Sequence, residues 1–184
     1  MRLLHRITVL LFILLVTACS NPFNPSLRKG GTTREFRYPN DSPDNVLRNL
    51  MLAYNQKSLE IYKSTLDEDF RFYVASWNVP EVGQNWWGYE QEIEFHRNLF
   101  SHGSSDGSYP SPDKIFLNLE IPPVHMWQSD HQIGHENWVI IYAPFHLQLS
   151  YATRADKGAI GFARFHMRSV DGRWYIAKWV DESF

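Results

Sequence analysis

The stretch NQKSLEIYKSTLDEDF, residues 55–70, contains the passage from helices to sheet that decides the fold of this chain. Asn55–Lys57 interrupt a helical pattern, and Ser58 is a favourable N-cap residue for a second, shorter helix. The apolar side chains of that helix recur at helical spacing, at Leu59, Tyr62 and Leu66. Asp67–Asp69 then lead into a strand predicted over residues 70–76. The stretch therefore predicts a helix, a break, a short helix and a strand in direct succession.

Helices are also predicted on both sides of this stretch. The first begins at Ser42-Pro43, because serine caps helices and proline suits the first helical position. Its apolar stripe is formed by Val46, Leu47, Leu50, Met51 and Tyr54. Residues 78–88 form a Trp-rich loop, and a third helix follows from about residue 89 to 101, with Ile93, His96, Leu99 and Phe100 facing inward.

The second half of the chain changes to the alternating pattern of strands. Strands are predicted over residues 115–121, 137–152, 159–170 and 173–181, with a hairpin turn at Asp171-Gly172. Pro144 cannot donate to a ladder, so a bulge or bend is expected there. Three N-terminal helices followed by long strands predict an α+β fold, in which a curved antiparallel sheet packs against the helices and leaves a cone-shaped hollow.

The chain resembles the nuclear-transport-factor-2-like superfamily, which includes ketosteroid isomerases and polyketide cyclases. The resemblance is carried by Asn55-x-x-Ser58-Leu59, by Asp69-Phe70 before the first strand, and by the ending Gly172-Arg173-Trp174-Tyr175-Ile176. It implies the cone-shaped fold over residues 42–182. The catalytic tyrosine and aspartate of ketosteroid isomerases match Leu50 and Val74, so the resemblance carries no catalytic residue to this chain.

The first nineteen residues resemble the leader of a bacterial lipoprotein. Arg2 and Arg6 precede an apolar run of 12 residues from Ile7 to Ala18, which ends in the lipobox-like Val16-Thr17-Ala18-Cys19. An uncleaved membrane helix is the alternative, but a span needs about 20 residues. The resemblance implies cleavage before Cys19, diacylglycerol on its sulfur and an acyl chain such as palmitate on the new amino terminus. Ser20, in place of an aspartate, suggests the outer membrane, facing the periplasm.

The predicted organisation is a signal peptide over residues 1–18, a flexible tether over residues 19–41 and one domain over residues 42–184. Cys19 is the only cysteine, which leaves lipidation rather than a disulfide to explain it. Loss of the leader leaves 16 basic and 20 acidic residues and no basic run, which argues against nucleic acid as a partner. The expected partners are the membrane, through the anchor at Cys19, and an unidentified small molecule. No cofactor is predicted.

Six residues are weak candidates for ligand binding. Trp86 and Trp87 lie in the Trp-rich loop and can either line the mouth of the hollow or pack as core. Tyr142, His146, Arg164 and His166 fall on the non-core face of two neighbouring strands, and a register sum near 310 would pair Arg164 with His146. That face can equally be solvent-facing or subunit-facing. His125, His131, His135 and Glu136 offer metal-ligand chemistry, but a solvated loop is favoured and no metal site is predicted.

Three functions are compatible with this sequence. The missing catalytic residues favour a non-enzymatic envelope lipoprotein that binds a small ligand or a protein. The alternative is an isomerase, dehydratase or cyclase that uses the cone, with His146, His166 or Asp181 as base. The third is a lipoprotein that dimerises through its sheet face. The lining of the cone distinguishes the first two functions. An enzyme needs a histidine, aspartate or glutamate inside the cone, so a wholly apolar hollow would exclude the enzyme hypothesis.

Overall fold

A computed structural model describes residues 37–104 and 107–183 of the chain. Cys19, the predicted signal peptide and the tether as far as residue 36 lie outside these described residues. Across the described ranges, no helix is long and apolar enough to cross a membrane.

The predicted helices are present, and their ends follow from local sequence. Helix α1 ends at Lys57, whose φ of 55° is left-handed, and the Ser58 hydroxyl accepts a hydrogen bond from the Ile61 N–H at the start of α2. The Trp-rich loop contains one short helix, α3, and the third predicted helix is α4, which continues as a single π-helical turn at Asn98–His102. The bounds are α1 Pro43–Gln56, α2 Leu59–Thr65, α3 Val79–Val82 and α4 Tyr89–Arg97, with a 3-10 turn at Val124–Met126.

The described strands are β1 Leu66–Tyr73, β2 Trp86–Gly88, β3 Lys114–Leu119, β4 Gln128–Ser129, β5 Val139–Ser150, β6 Lys157–Val170 and β7 Arg173–Ser183. They form one seven-stranded sheet in the order β2-β1-β7-β6-β5-β3, with the short β4 also paired to β5. Every pairing is antiparallel except that of β1 with β7, which is parallel. The sheet is therefore mixed rather than wholly antiparallel, because the last strand returns beside the first.

The bulge expected at Pro144 is not found there. The pairing of β5 with β6 runs without a shift through Pro144, which lies opposite Phe162. The Pro144 carbonyl accepts a hydrogen bond from the Glu120 N–H, just beyond the end of β3 at Leu119. The nitrogen of Pro144 faces the same side as its carbonyl, where β3 has already ended, so the proline leaves no strand hydrogen bond unmade. A shift occurs instead between His166 and Met167, where β6 pairs with β7.

The core lies between α1, α2 and α4 and one face of the sheet. Its centre is fully buried and takes apolar residues from the helix stripes and from alternate strand positions: Val46, Leu47, Leu50, Ile61, Ile141, Ala143 and Phe165. The alternate residues of the strands lie on the opposite face, which we call the outer face. This arrangement confirms the α+β cone fold.

Residues 37–41, at the end of the predicted tether, are bound to the domain. The Tyr38 N–H donates to the Asn49 side-chain oxygen at 2.9 Å, and the Asn49 amide donates to Tyr38 and Asn40 in return. The Trp174 N–H donates to the Asn40 carbonyl at 2.7 Å. The contacts of the domain therefore begin before Ser42, the position at which the sequence predicts it to start.

Candidate functional site

A pocket of about 400 Å³ lies between the helices and the concave face of the sheet. Most of its wall is apolar, which suits the body of a small organic molecule. The wall is formed chiefly by Phe72, Trp87, Leu117, Phe145, Leu147 and Trp179. Six polar side chains interrupt it: Tyr54, Asn78, Glu92, His96, Asp181 and Ser183. The cone is therefore not an apolar hollow.

Glu92 of α4 is the centre of a buried hydrogen-bond network. It is 1% exposed, and its two carboxyl oxygens accept separately from the Tyr62 hydroxyl and the Trp87 indole N–H. Trp87 is fixed further by stacking on Phe72, with ring centroids 4.6 Å apart. Each carboxyl oxygen of the buried Glu92 side chain thus has a hydrogen-bond donor in place of water.

His96 lies one helical turn after Glu92 and joins the same network. Its Nδ1 lies 3.1 Å from the Glu92 backbone oxygen, and its Nε2 lies 2.7 Å from the Tyr54 hydroxyl. Burial lowers the pKa of His96, although Glu92 opposes this, so the ring is neutral at pH 7. With Nδ1 donating to the backbone carbonyl, Nε2 must accept from Tyr54.

Both tyrosines of the network keep their protons near neutral pH. Burial raises the pKa of Tyr54 and of Tyr62 well above the ordinary value, and the charge of Glu92 raises each further. Tyr62 also stacks on His96, with ring centroids 3.8 Å apart. The buried side of the pocket is thus a rigid group of phenol, imidazole and carboxyl groups.

Asp181 is more exposed than the polar residues of this network. It sits on the concave face of β7, opposite Ala163 of β6, and is half-buried. One carboxyl oxygen accepts from the Ser183 N–H at 2.9 Å. No other described residue hydrogen-bonds to this carboxylate. Trp77 is 58% exposed beside it and donates its indole N–H to the Ser183 carbonyl at 2.7 Å.

Of the six predicted ligand-binding residues, the structure brings only Trp87 into the cone. Its neighbour Trp86 points to the other face, because successive strand residues alternate. Tyr142, His146, Arg164 and His166 lie on the outer face, as predicted. The register considered from the sequence, with Arg164 opposite His146, does not occur. Arg164 lies opposite Tyr142, and His146 lies opposite Ile160, so the numbers of paired residues add up to 306.

His166 belongs to a separate cluster under the loop of residues 127–138. The Nδ1 atoms of His135 and His166 lie 2.7 and 2.8 Å from the same carboxyl oxygen of Asp130. Both ring nitrogens point at one oxygen rather than at a shared empty position, which is not metal-site geometry. Among the described residues, no group of three or more such side chains is placed to hold a metal ion.

The polar residues of the cone are only partly signalled by the sequence. Helical spacing places Tyr54 and His96 on the inward faces of their helices as core residues, and it assigns no role to Glu92. Glu92 and His96 are four residues apart, a spacing that places both on one helix face. An acidic residue on an inward helical stripe was the signal for a polar site.

No family profile and no curated protein matches this sequence. Solved structures match by shape. A conserved protein from Planctomyces limnophilus superposes with a TM-score of 0.57 at 13% identity, over 77% of this chain and 92% of that one. A Novosphingobium aromaticivorans protein, provisionally assigned as a scytalone dehydratase, gives 0.53 at 12% identity, over 77% and 80%. A ketosteroid isomerase-like protein from Erwinia carotovora gives 0.50 at 15% identity, over 74% and 89%. The domain has the nuclear-transport-factor-2-like fold, and at these identities the likeness extends to the fold alone.

Proposed function

We propose that this chain is a lipid-anchored protein of a bacterial envelope whose domain binds a small, largely apolar molecule in the cone pocket. The pocket carries the proposal: an apolar wall of aromatic and aliphatic side chains around about 400 Å³, interrupted by a few polar groups. Phe145, Leu147 and Trp179 would pack against the body of the ligand.

The buried polar groups favour binding over chemistry. Glu92 accepts from Tyr62 and Trp87, while both ring nitrogens of His96 are engaged by Tyr54 and the Glu92 backbone. A general base must be within reach of the proton it removes and available to accept it. Groups that already satisfy one another are better suited to shaping the polar end of a pocket.

A fluorescent probe tests the binding proposal directly. The full chain should bind N-phenyl-1-naphthylamine, a neutral apolar dye that fits the pocket volume, with enhanced dye emission. Ala159 lines the pocket opposite Leu147, so Ala159→Trp fills it and should weaken dye binding by at least about tenfold. The exposed loop variant Ala155→Trp is the matched control and should bind as wild type. Equal binding by both variants would overturn the proposal.

The anchor is supported by the sequence of residues 1–19 and has its own test. The mature chain from bacterial membranes should begin at Cys19 and carry the mass of the diacylglycerol and acyl chains. Cys19→Ser should remove that mass and release the chain from the membrane fraction. An unmodified Cys19, or a retained leader, would refute the anchor without affecting the pocket.

A proton-transfer enzyme of the isomerase or dehydratase type is the second candidate, and Asp181 is the observation that favours it. Of the three bases predicted from sequence, His146 and His166 lie on the outer face and only Asp181 lines the cone. Its second carboxyl oxygen has no hydrogen-bond partner among the described residues. 3-Cyclohexenone is a suitable probe: wild type should catalyse exchange of its α-hydrogens with D₂O, and Asp181→Asn should not. No exchange above background by wild type would reject this candidate.

A homodimer through the outer face is a further proposal from the same architecture. Phe116 and Ile160 are 51% and 52% exposed there, at the β3 end of the sheet, on either side of His146. Exposed apolar side chains grouped on one face are typical of protein contacts. Phe116→Glu should convert a dimer into a monomer in sedimentation experiments, and a wild-type monomer at high concentration would exclude the dimer.

A further inference from the structure

We infer that the outer face carries a second binding site, specific for a saccharide that bears a carboxylate or phosphate group. The site is a groove of about 940 Å³ where β2, β1 and β7 meet the loop of residues 127–138. We call it the β1/β7 groove and define it by Arg71, Tyr73, Trp86, Gln91, Gln132 and Lys178. It is independent of the cone pocket and of the function proposed for that pocket.

Two cations lie side by side in this groove without acidic partners. Arg71 of β1 and Lys178 of β7 are register partners on adjacent strands, so their side chains leave the sheet together. Among the described residues, no carboxylate lies within 4.0 Å of either charged group. Like charges placed opposite each other repel. An anion bound between them would remove the repulsion and form charge-assisted hydrogen bonds with both.

Aromatic rings hold these two cations in place. The Arg71 guanidinium lies 5.1 Å from the centroid of Trp86, and the Lys178 ammonium lies 4.6 Å from that of Tyr73. Both are cation–π distances, which fix each charge before a ligand arrives. Trp86 remains 43% exposed and offers ring surface to a ligand beside the charges.

Arg168 and His166 lie near the cation pair, but each already has an acidic partner. Arg168 lines the same groove but is already bound to Asp67 and Asp69. Beside Lys178, on the adjacent strand, burial lowers the pKa of His166, and Lys178 and Arg164 lower it further against the opposing effect of Asp130. The positive charge of Lys178 therefore acts on His166, its register partner on β6.

The remaining lining favours a sugar rather than a simple anion. Gln91 and Gln132 provide amide donors and acceptors, and Glu68 and Glu90 provide further acceptors. Such groups bind hydroxyls, whereas unpaired acids would repel a ligand that carried only negative charge. An exposed indole, neutral hydrogen-bonding groups and one focus of positive charge together match a ring with hydroxyls and a single acidic substituent.

The sheet separates this groove from the cone. Phe72 and Trp179 line the cone, while their chain neighbours Arg71 and Lys178 line the groove, because alternate strand residues face opposite sides. Variants of the groove therefore leave the lining of the cone unchanged, and the two sites can be tested separately.

Calorimetric titration of the full chain with two matched sugar pairs tests the inference. N-acetylmuramic acid differs from N-acetylglucosamine by a lactyl carboxylate, and glucose 6-phosphate differs from glucose by a phosphate. At least one acidic member should bind at least about tenfold more tightly than its neutral partner. Which member binds tells carboxylate from phosphate as the recognised group.

Variants assign that binding to the groove. Arg71→Gln with Lys178→Met should reduce affinity for the acidic sugar by at least about tenfold, and Trp86→Ala should reduce it as well. Arg173→Gln removes one cation from an exposed strand end outside the groove and should bind as wild type. Near-ultraviolet circular dichroism confirms that each variant is folded. No binding at millimolar concentration, equal binding of acidic and neutral sugars, or undiminished binding by the double variant would each overturn the inference.

Discussion

Replacement of Tyr62 by phenylalanine removes one hydroxyl group from the network behind the cone pocket. The Tyr62 side chain is fully buried, and its hydroxyl donates to one oxygen of Glu92, while Trp87 donates to the other. Phenylalanine keeps the ring that stacks on His96 and opens no cavity, so the change is confined to the hydroxyl. A buried hydrogen bond to an ionisable partner contributes about 1.5–3 kcal/mol.

Tyr62→Phe should therefore lower the free energy of unfolding by about 2 kcal/mol, which corresponds to about 4–8 °C in Tm for a domain of this size. Urea unfolding followed by tryptophan fluorescence measures the change. Tyr89→Phe is the control, because no described residue hydrogen-bonds to the Tyr89 hydroxyl. In a Glu92→Leu background, loss of the Tyr62 hydroxyl should cost less, since the hydroxyl has already lost its carboxylate acceptor and keeps only Tyr54 as a partner. A Tyr62→Phe variant as stable as Tyr89→Phe, or an equal loss in both backgrounds, would refute this account of the network.

Three further predictions concern stability. Gly103 and Gly83 have φ of 80° and 78°, but a Cβ at Gly103 would lie 2.4 Å from the Tyr109 carbonyl oxygen while one at Gly83 would meet nothing within 4 Å. Gly83→Ala should cost about 1 kcal/mol and Gly103→Ala more than about 3 kcal/mol in urea unfolding, and similar costs would contradict the described contacts. Burial favours a higher pKa for Asp130, but hydrogen bonds from His166 and His135 lower it to about 2 from 3.8. Because the folded-state pKa is lowered, this carboxylate stabilises the fold above about pH 4, and about 2 kcal/mol should be lost between pH 4 and 2 in wild type but not in Asp130→Asn. Burial likewise lowers the pKa of His96 and His166, so the unfolded state binds more protons and stability should decline as the pH falls below about 6.5. His166→Gln should decline less over that range in the same titration, and an unchanged slope would exclude its contribution.

Local signals in the sequence predicted the elements of the fold well. Ser58 caps α2 through its own hydroxyl, and Asp171-Gly172 forms the turn between β6 and β7 with φ of 50° and 76°. Each feature depends on a few neighbouring residues whose conformational preferences are strong. The fold class followed from the order of these elements.

Relations between distant residues were harder to predict. The β5–β6 register depends on the conformation of residues 151–156, which no strong turn signal fixes, and the parallel pairing of β1 with β7 joins opposite ends of the domain. The burial of His166 depends on Asp130, which lies in a loop 36 residues earlier. Such contacts are set by tertiary packing rather than by local preference.

The polar groups of the cone depend both on local helical spacing and on contacts between distant residues. Tyr54 and His96 are 42 residues apart, on α1 and α4, and each has the inward spacing of an ordinary core residue. Only the crossing of the two helices turns them into one network with Glu92. The resemblance to ketosteroid isomerases matches Leu50 to their tyrosine position, and Tyr54, one helical turn later, supplies a phenol to the pocket.

Native mass spectrometry of the full chain, extracted in mild detergent from bacterial membranes without added ligand, tests the central proposal most directly. Wild type and the Ala155→Trp control should retain a small molecule as a discrete added mass, beyond any lipid on Cys19, and Ala159→Trp should lose it. A wild-type spectrum that shows the polypeptide and its anchor alone, or an added mass retained by Ala159→Trp, would contradict a ligand held in the cone.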